Sequence, residues 1–470
     1  MDDAAVEAFL NELYPYRFES ETFRAIPEHG RSADDVLAEV RGYARREDRM
    51  GDEGRVSGSL YCGDHSHYHV LSEVFEEFAH VNVLQRDMYP SATKFEAEIV
   101  SMVADMLHGT EPGSEVCGVV TSGGSESLVT ALYTYREQGR NERGITSPNV
   151  VIPVTAHVAL DKGAHWLGIE MRHAPLTDEY VVDVDAMAAL IDENTVAIVG
   201  SAGNYAHGLV DPIPELGRLA LERGVGLHVD GCLGGFLLPF IEGSGVDVPP
   251  WDFRVPGVTS ISADTHKYGY ALKGTSTLMY RTRSLRAHQW FTYPDWPGGL
   301  YLSPGLAGSR SGGLIASTWA SLVLMGREGY LEAARGIYDT AQAMVAGIRD
   351  QVPELDVVGN PIFLFAFTSD AVDVYLVNDE LKRRGWRMNA LQLPPALHFC
   401  VTRPNVSPQV VADFLADLRA SVDYALEHSG QPAESGAMYG LGGTPQGNES
   451  INALMGAYLE AMHDPAPPVA

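Results

Sequence analysis

Cysteine is scarce in this chain. Four are present in 470 residues, Cys62, Cys117, Cys232 and Cys400, and no two form a CxxC pair. That spacing excludes a cysteine zinc site and a thiol-exchange motif, and predicts reduced, mostly buried thiols. Basic charge is also short: 33 Lys and Arg stand against 62 Asp and Glu, a formal charge of -29. Such a surface repels polyanions, which excludes a basic footprint for nucleic acid and disfavours adhesion to an anionic bilayer. The densest basic run, Lys382-Arg383-Arg384 with Arg387, closes an amphipathic helical pattern, where cations complement the helix dipole. No stretch approaches the roughly 18 uninterrupted apolar residues of a membrane span, and the acidic opening Met1-Asp2-Asp3 does not resemble a signal peptide. A cytoplasmic protein without a transmembrane anchor is expected. HExxH, GxSxG, Walker and dinucleotide glycine motifs are all missing.

What is present describes a large soluble protein. Hydrophobic residues make up 45% and charged residues 20% of a chain long enough for two or three cores. The first hundred residues read as helical arms, broken by a Gly-rich patch at Gly51–Gly63, that wrap a partner. From Cys117 onward β-branched runs alternate with helical ones, the pattern of crossover units on a mostly parallel sheet. Strands are predicted over Gly118–Thr121, Val150–Val154, Val196–Ser201, Val225–Asp230, Val258–Ala263 and Thr275–Tyr280. Helices are predicted over Ser125–Arg136, Val158–Leu167, Asp185–Ile191 and Pro214–Arg223. A polar passage, Tyr293–Gly313, leads into a long helical stretch at Leu314–Val352. Strands at Ile362–Thr368 and His398–Thr402 then suggest a small α+β domain, and a last helical pattern covers Ile451–Met462.

Three predicted strand ends carry chemical groups. Thr121-Ser122-Gly123-Gly124-Ser125-Glu126 ends one strand and opens a helix, so bare backbone N–H groups and Ser125 face any anion placed there. Asp230 ends another strand, and Lys267 follows a third. Open α/β sheets bind ligands along that edge. A phosphate cradle, an acid and an amine are what pyridoxal phosphate needs: the lysine forms a Schiff base, the acid keeps the ring nitrogen protonated, and the cradle holds the phosphate. His157 is placed to stack on the ring, and Ser201 to reach its phenolic oxygen. Singly, each has a duller reading, as a cap, a loop histidine or a surface amine. Their common order along the chain favours the cofactor. His65, His67 and His69 alternate as on one face of a strand, but with no carboxylate or cysteine at ligand spacing they read as exposed or capping residues, and no metal site is expected.

Longer motifs add a resemblance. "GRVSGSLY" at Gly54–Tyr61, "TSGGSES" at Thr121–Ser127, "HVDGCLGGF" at His228–Phe236, "SISADTHKYGYALKG" at Ser260–Gly274, "AGSRSGG" at Ala307–Gly313 and "LQLPPALHFC" at Leu391–Cys400 resemble the sphingosine-1-phosphate lyase family. That family lies in the decarboxylase-like group of pyridoxal-phosphate enzymes with the aspartate aminotransferase fold. The resemblance implies an α/β protein of fold type I: an N-terminal segment over 1–95, a large domain with a mostly parallel seven-stranded sheet over 96–335, and a small C-terminal α+β domain over 336–470. It implies Lys267 as the Schiff-base lysine, Asp230 as the pyridinium partner, His157 as the stacking residue, and Gly123, Gly124, Ser125 and His266 as phosphate contacts. Tyr61, His207, Lys273 and Ser309 fall near the substrate, some of them across a homodimer interface.

The implied reaction is a retro-aldol cleavage of a phosphorylated sphingoid base to a long-chain aldehyde and phosphoethanolamine, with Lys273 and His207 as candidates for proton transfer. The pattern is not complete. Asn82-Val83-Leu84-Gln85-Arg86-Asp87 stands where the family reads "NPLHPD", so Gln85 replaces a histidine that binds substrate phosphate, with Arg86 beside it. Tyr61-Cys62-Gly63-Asp64 replaces "YHGG", and Ser311 and Leu272 replace prolines. Those changes keep open amino-acid decarboxylation on the same scaffold. A dimer that binds the cofactor or a partner without turnover is the third reading.

Overall fold

The computed structural model describes residues 14–436 and 445–463. The opening tripeptide and part of the tail after Gly430 lie outside the described residues. The central sheet comprises β1 (Cys117–Thr121), β2 (Asn149–Pro153), β3 (Glu170–Ala174), β4 (Thr195–Ser201), β5 (Gly226–Asp230), β6 (Ser260–Ala263) and β7 (Ser276–Tyr280). Successive side chains leave a strand on opposite faces, so a strand that is apolar at every position needs a cover on both sides. Val150 and Ile152 of β2 and Leu278 and Tyr280 of β7 enter one apolar cluster, whereas Val151 and Met279 enter the other. The helices Gly124–Arg143 and Ala159–Leu167 complete the first cluster with Leu128, Leu132, Tyr135 and Leu160. The helices Pro90–Met106 and Ile213–Arg223 complete the second with Ile99, Val103, Ile213 and Leu216.

The strand order is β1-β7-β6-β5-β4-β2-β3, with β7 antiparallel to both neighbours and the remaining pairs parallel. This is the expected mostly parallel, seven-stranded sheet. Six of its strands lie within two residues of their predicted limits. The seventh, β3, escaped notice because it is an edge strand whose side chains face solvent: Arg172 pairs with Glu170 and Asp192, and no apolar run results. The passage read as loop holds a hairpin, β8 (Phe291–Tyr293) with β9 (Tyr301–Ser303), masked by Pro294 and the Pro297-Gly298-Gly299 turn.

A second sheet, ordered β10-β11-β13-β12, is antiparallel and comprises β10 (Asp356–Val357), β11 (Leu364–Thr368), β12 (Asn389–Leu391) and β13 (Ala396–Cys400). The helices Val374–Arg383 and Pro408–Glu427 pack on it. The long helical stretch runs from Gly312 to Gln351 and breaks at Gly326, where φ is +55°. The expected domain limits at 95 and 335 fall inside the helices Pro90–Met106 and Gly312–Gln351. The Gly-rich patch is tied to the small sheet's side of the chain: Asn405 Nδ2 donates to Gly54 O and Val56 O, and Cys400 N donates to Ser57 Oγ. Gly54 has φ +70°, and a Cβ there would meet Pro404 O at 2.5 Å. That anchorage delivers Tyr61 to the carboxyl ends of the central strands. The helix Ala33–Glu47 in the preceding arm buries none of its residues.

Candidate active site

The carboxyl ends of β1, β2, β4, β5 and β6 share one edge, and the predicted groups meet there. In the parallel ladder Ser201 pairs with Asp230, and Asp230 with Ser262, which sets three polar residues side by side. After β1 the chain turns through Gly123, at φ +155°, into the helix beginning at Gly124. A Cβ on Gly124 would lie 2.7 and 2.8 Å from the Asp264 carboxylate oxygens and 2.9 Å from Cys232 Sγ; one on Gly123 would lie 3.3 Å from His266 Cε1. Only bare backbone fits between this turn and the 264–267 turn after β6, and the helix start leaves its N–H groups facing the gap. Within the second turn Lys267 Nζ is 2.9 Å from Asp264 Oδ2.

The electrostatics divide the carboxylates. Burial pushes Asp230 up, but hydrogen bonds from Cys232 and the nearby His157 and His228 outweigh it and hold the carboxyl below its ordinary range. Behind Asp230 runs a buried hydrogen-bonded ladder. Ser262 Oγ donates to Asp230 Oδ1 at 3.3 Å and lies 3.3 Å from His228 Nε2; His228 Nδ1 is 2.7 Å from Ser260 Oγ, which is 2.6 Å from Tyr135 OH. For Lys267, burial favours the neutral amine, yet Asp264, Cys232 and Tyr61 reverse this and raise its pKa. Lys273 donates from Nζ to His266 O at 3.3 Å and sits 4.7 Å from the Tyr61 ring centre. Lys273 is exposed, yet partial desolvation and then the Lys267 charge pull its pKa down to about 8, against the pull of Asp264. His207 is buried and lowered by desolvation to about 4, so its imidazole is neutral.

His157 Nδ1 accepts from Ala159 N at 3.1 Å, which leaves its other nitrogen protonated, and its ring meets Tyr205 edge-on at 6.1 Å. Among the described residues, buried polar atoms without a protein partner concentrate at this edge: Thr155 Oγ1, Ser201 Oγ, His207 Nδ1, Asp264 Oδ1 and His266 Nδ1. Buried polar groups left unpaired are costly, so their convergence marks room for a polar ligand. An aromatic ring with a phenolic oxygen and a phosphate fits the donors, the acid, the amine and the glycine cradle.

The pyridoxal-dependent decarboxylase conserved domain matches residues 22–367. The sphingosine-1-phosphate lyase of Arabidopsis thaliana is 41% identical over 87% of this chain and 76% of its own length. The chain belongs to the sphingosine-1-phosphate lyase family. A solved sphingosine-1-phosphate lyase from Burkholderia pseudomallei superposes with a TM-score of 0.89 at 47% identity, covering 96% of this chain and 99% of its own. Glutamate decarboxylase of Lactobacillus brevis, at 21% identity and a TM-score of 0.74 over 88% of this chain and 98% of its own, shares the fold. Pyridoxal phosphate is the cofactor, and the fold is type I.

Not every predicted residue of this lyase-family chain joins the same group. Tyr61 is buried against Tyr268, at 5.0 Å between ring centres, beside the Lys267 and Lys273 of its own chain. Gln85 and Ser309 form a second group: Asn82 Nδ2 donates to Ser309 Oγ at 3.0 Å, and Gln85 N donates to Asn82 O. Arg86, beside Gln85, is held by Glu96, which also takes Arg310 at 2.8 Å. Its charge is thus already engaged. His65, His67 and His69 lie on the helix His65–Glu77, not on a strand, so the three do not share one face. His65 meets Asp52, His67 meets Tyr270 O and Ser321, and His69 meets Glu73.

Four residues at the site carried no sequence signal of their own. Asp264 sits within the quoted motif around Lys267, where nothing in the spacing singles it out. Thr155 lies in an ordinary loop. Asp211 accepts from Ser201 N and Val182 N, and so holds the end of β4. Tyr205 stands edge-on between His157 and His398, 4.8 Å from the latter.

Proposed function

We propose that the chain cleaves the Cα–Cβ bond of a phosphorylated sphingoid base, such as sphingosine 1-phosphate or its dihydro form, releasing a long-chain aldehyde and phosphoethanolamine. The observation that carries this reading is the meeting of Lys267, Asp230 and the 123–125 turn on one sheet edge with a second amine, Lys273, beside them. Bound pyridoxal phosphate supplies an electron sink conjugated to the substrate's α-carbon. Lys267 would hold it, with Asp230 as the anion toward its ring nitrogen, His157 over one face of the ring and Ser201 toward its phenolic oxygen. Gly123, Gly124, Ser125 and His266 take its phosphate.

Retro-aldol cleavage needs a base for the β-hydroxyl proton, whereas decarboxylation needs none. An amine with its pKa near 8 exists partly as the free base at neutral pH, and Lys273 is that amine. The Tyr61 ring and the His266 carbonyl hold its Nζ in place. His207, neutral and with an unpaired buried Nδ1, is a second group able to take or pass a proton. Gln85 and Ser309 bind the substrate's own phosphate.

The working unit proposed is a homodimer. Phe291, Tyr293, Trp296, Leu300, Leu302 and Leu306 in and around the β8–β9 hairpin are exposed in the single chain, and a second copy would cover them. Among the described residues no helix is long and apolar enough to cross a membrane. We place the enzyme in the cytoplasm, where its four buried free thiols remain reduced.

Purified protein supplied with cofactor is incubated with a phosphorylated sphingoid base and, separately, with an amino-acid panel. Long-chain aldehyde and phosphoethanolamine in equal amounts are expected from the first and no carbon dioxide from the second. Carbon dioxide without aldehyde would transfer the protein to the decarboxylases; neither product would leave a cofactor-binding dimer.

A further inference from the structure

Lys267 must exist in two states, joined to the cofactor and displaced from it by the substrate's amine. Its Nζ lies 2.9 Å from Asp264 Oδ2, and the Asp264 side chain is 1% exposed. Both groups belong to one four-residue turn, closed by Lys267 N donating to Asp264 O at 3.3 Å, so little chain ordering is needed to bring them together. The other carboxylates at this edge are engaged elsewhere: Asp230 Oδ1 accepts from Cys232 N at 3.0 Å and from Ser262 Oγ, and Asp211 accepts from Ser201 N and Val182 N. Asp264 Oδ1, by contrast, is buried without a hydrogen-bond partner. A buried carboxylate needs a cation. Besides Lys267, the group within ion-pairing reach among the described residues is His266, whose Nε2 is 3.7 Å from Asp264 Oδ2 and whose imidazole burial keeps neutral. Cys232, Tyr61, Cys400 and Lys273 are further titratable groups that face the lysine.

We propose that Asp264 is the docking carboxylate for displaced Lys267, a positioning residue that holds its amine as an ammonium clear of the reacting carbon. The inference rests on Lys267 carrying the cofactor. The exchange balances within the pair. The incoming substrate ammonium gives up protons as its nitrogen bonds to the carbon that Nζ leaves, the bond from that carbon to Nζ breaks, and Nζ departs as an ammonium. No further reagent is consumed. Parked on Asp264 in that form, Nζ is neither a nucleophile nor a base. It is held from re-attack until the aldehyde has left, and the β-hydroxyl proton falls to Lys273; phosphoethanolamine is then released when Nζ gives its protons back to the departing nitrogen and reforms its own bond to that carbon.

Competitive acetylation of the cofactor-free full chain, mapped by mass spectrometry against exposed Lys162, reads the free amine directly. In wild type the pH of half-maximal Lys267 labelling is expected above that of Lys162; a value below it overturns the proposal without any variant. Asp264→Asn is expected to speed Lys267 labelling at pH 8 by at least about tenfold, one unit of pKa, and Asp264→Glu to restore slow labelling. Rates equal within about twofold in well-folded Asp264→Asn overturn it.

In the loaded protein, the absorbance change on titration with phosphoethanolamine reports displacement of the lysine. Asp264→Asn is expected to weaken it by about tenfold. An unchanged titration rejects the docking role. Borohydride reduction of loaded wild type, with the trapped lysine mapped, tests the cofactor role separately. A trap at another lysine removes the cofactor role of Lys267 even if its labelling still shows the pair with Asp264.

Discussion

Two amines six residues apart do different work because their surroundings differ. Lys267 is paired with a buried carboxylate, while Lys273 has an aromatic face, a carbonyl and a neighbouring cation. If Lys273 is the base, it acts only when deprotonated, so turnover should rise with pH through about 8 and level off above it. A pH profile of kcat is the measurement. Lys273→Arg, whose guanidinium stays protonated, should lower kcat by at least about 100-fold and abolish that limb. Lys267→Ala should lose both aldehyde production and the borohydride trap. Asp230 was legible in the sequence because it terminates an apolar strand run, and Lys267 because it follows another within a few residues, at the edge where open α/β sheets bind ligands. Asp264, three residues before Lys267, was not legible as a partner, since a turn of that length offers several pairings and only the fold selects one.

At the scale of elements, the turn between β1 and the helix Gly124–Arg143 is the least tolerant part of the site. Gly124→Ala places a methyl 2.7 and 2.8 Å from the two Asp264 carboxylate oxygens and 2.9 Å from Cys232 Sγ, so the buried carboxylate must shift against its ion pair with Lys267. At least about a tenfold loss of cofactor affinity is expected by absorbance titration of the cofactor-free protein, roughly the 1 to 3 kcal/mol typical of forced packing. The ladder behind Asp230 makes a separate prediction. His228→Asn breaks the link between Ser262 and Ser260, so the spectral pH titration of the bound cofactor should shift although no atom touching the cofactor has changed. An unshifted titration would show that Asp230 keeps its ionised state without the ladder. Five of the six predicted strands needed only their continuous apolar, β-branched runs to be placed to within a residue or so; β3 and β8–β9 lacked such runs because most of their residues face solvent.

For the whole molecule, three deeply buried imidazoles set an acid limit. Desolvation lowers His207, His228 and His398 to about 4 in the folded chain, against about 6.5 when unfolded. Between those values the unfolded state binds more protons, so stability falls as pH drops through the window. Asp211 opposes this: burial raises it to about 6, and in the same window the folded state holds its proton. From these four groups the net uptake on unfolding near pH 5 is about two protons, or roughly 3 kcal/mol lost per pH unit. Urea unfolding at pH 7, 6 and 5 checks the slope, and His398→Asn should reduce it by about one proton.

The chain by itself determined its layers, its strand ends and the polar groups placed on them, because alternation and local turn chemistry act between near neighbours. The β1 turn, Asp230 and Lys267 were therefore readable in order. Tertiary structure alone decided which carboxylate receives the Lys267 amine, that Tyr61 lies beside the lysines of its own chain, and that His398 reaches the Tyr205 turn across almost 200 residues. Those contacts leave no period or spacing in the sequence. They arise only when the second sheet and the Gly-rich patch pack against the carboxyl edge of the central sheet.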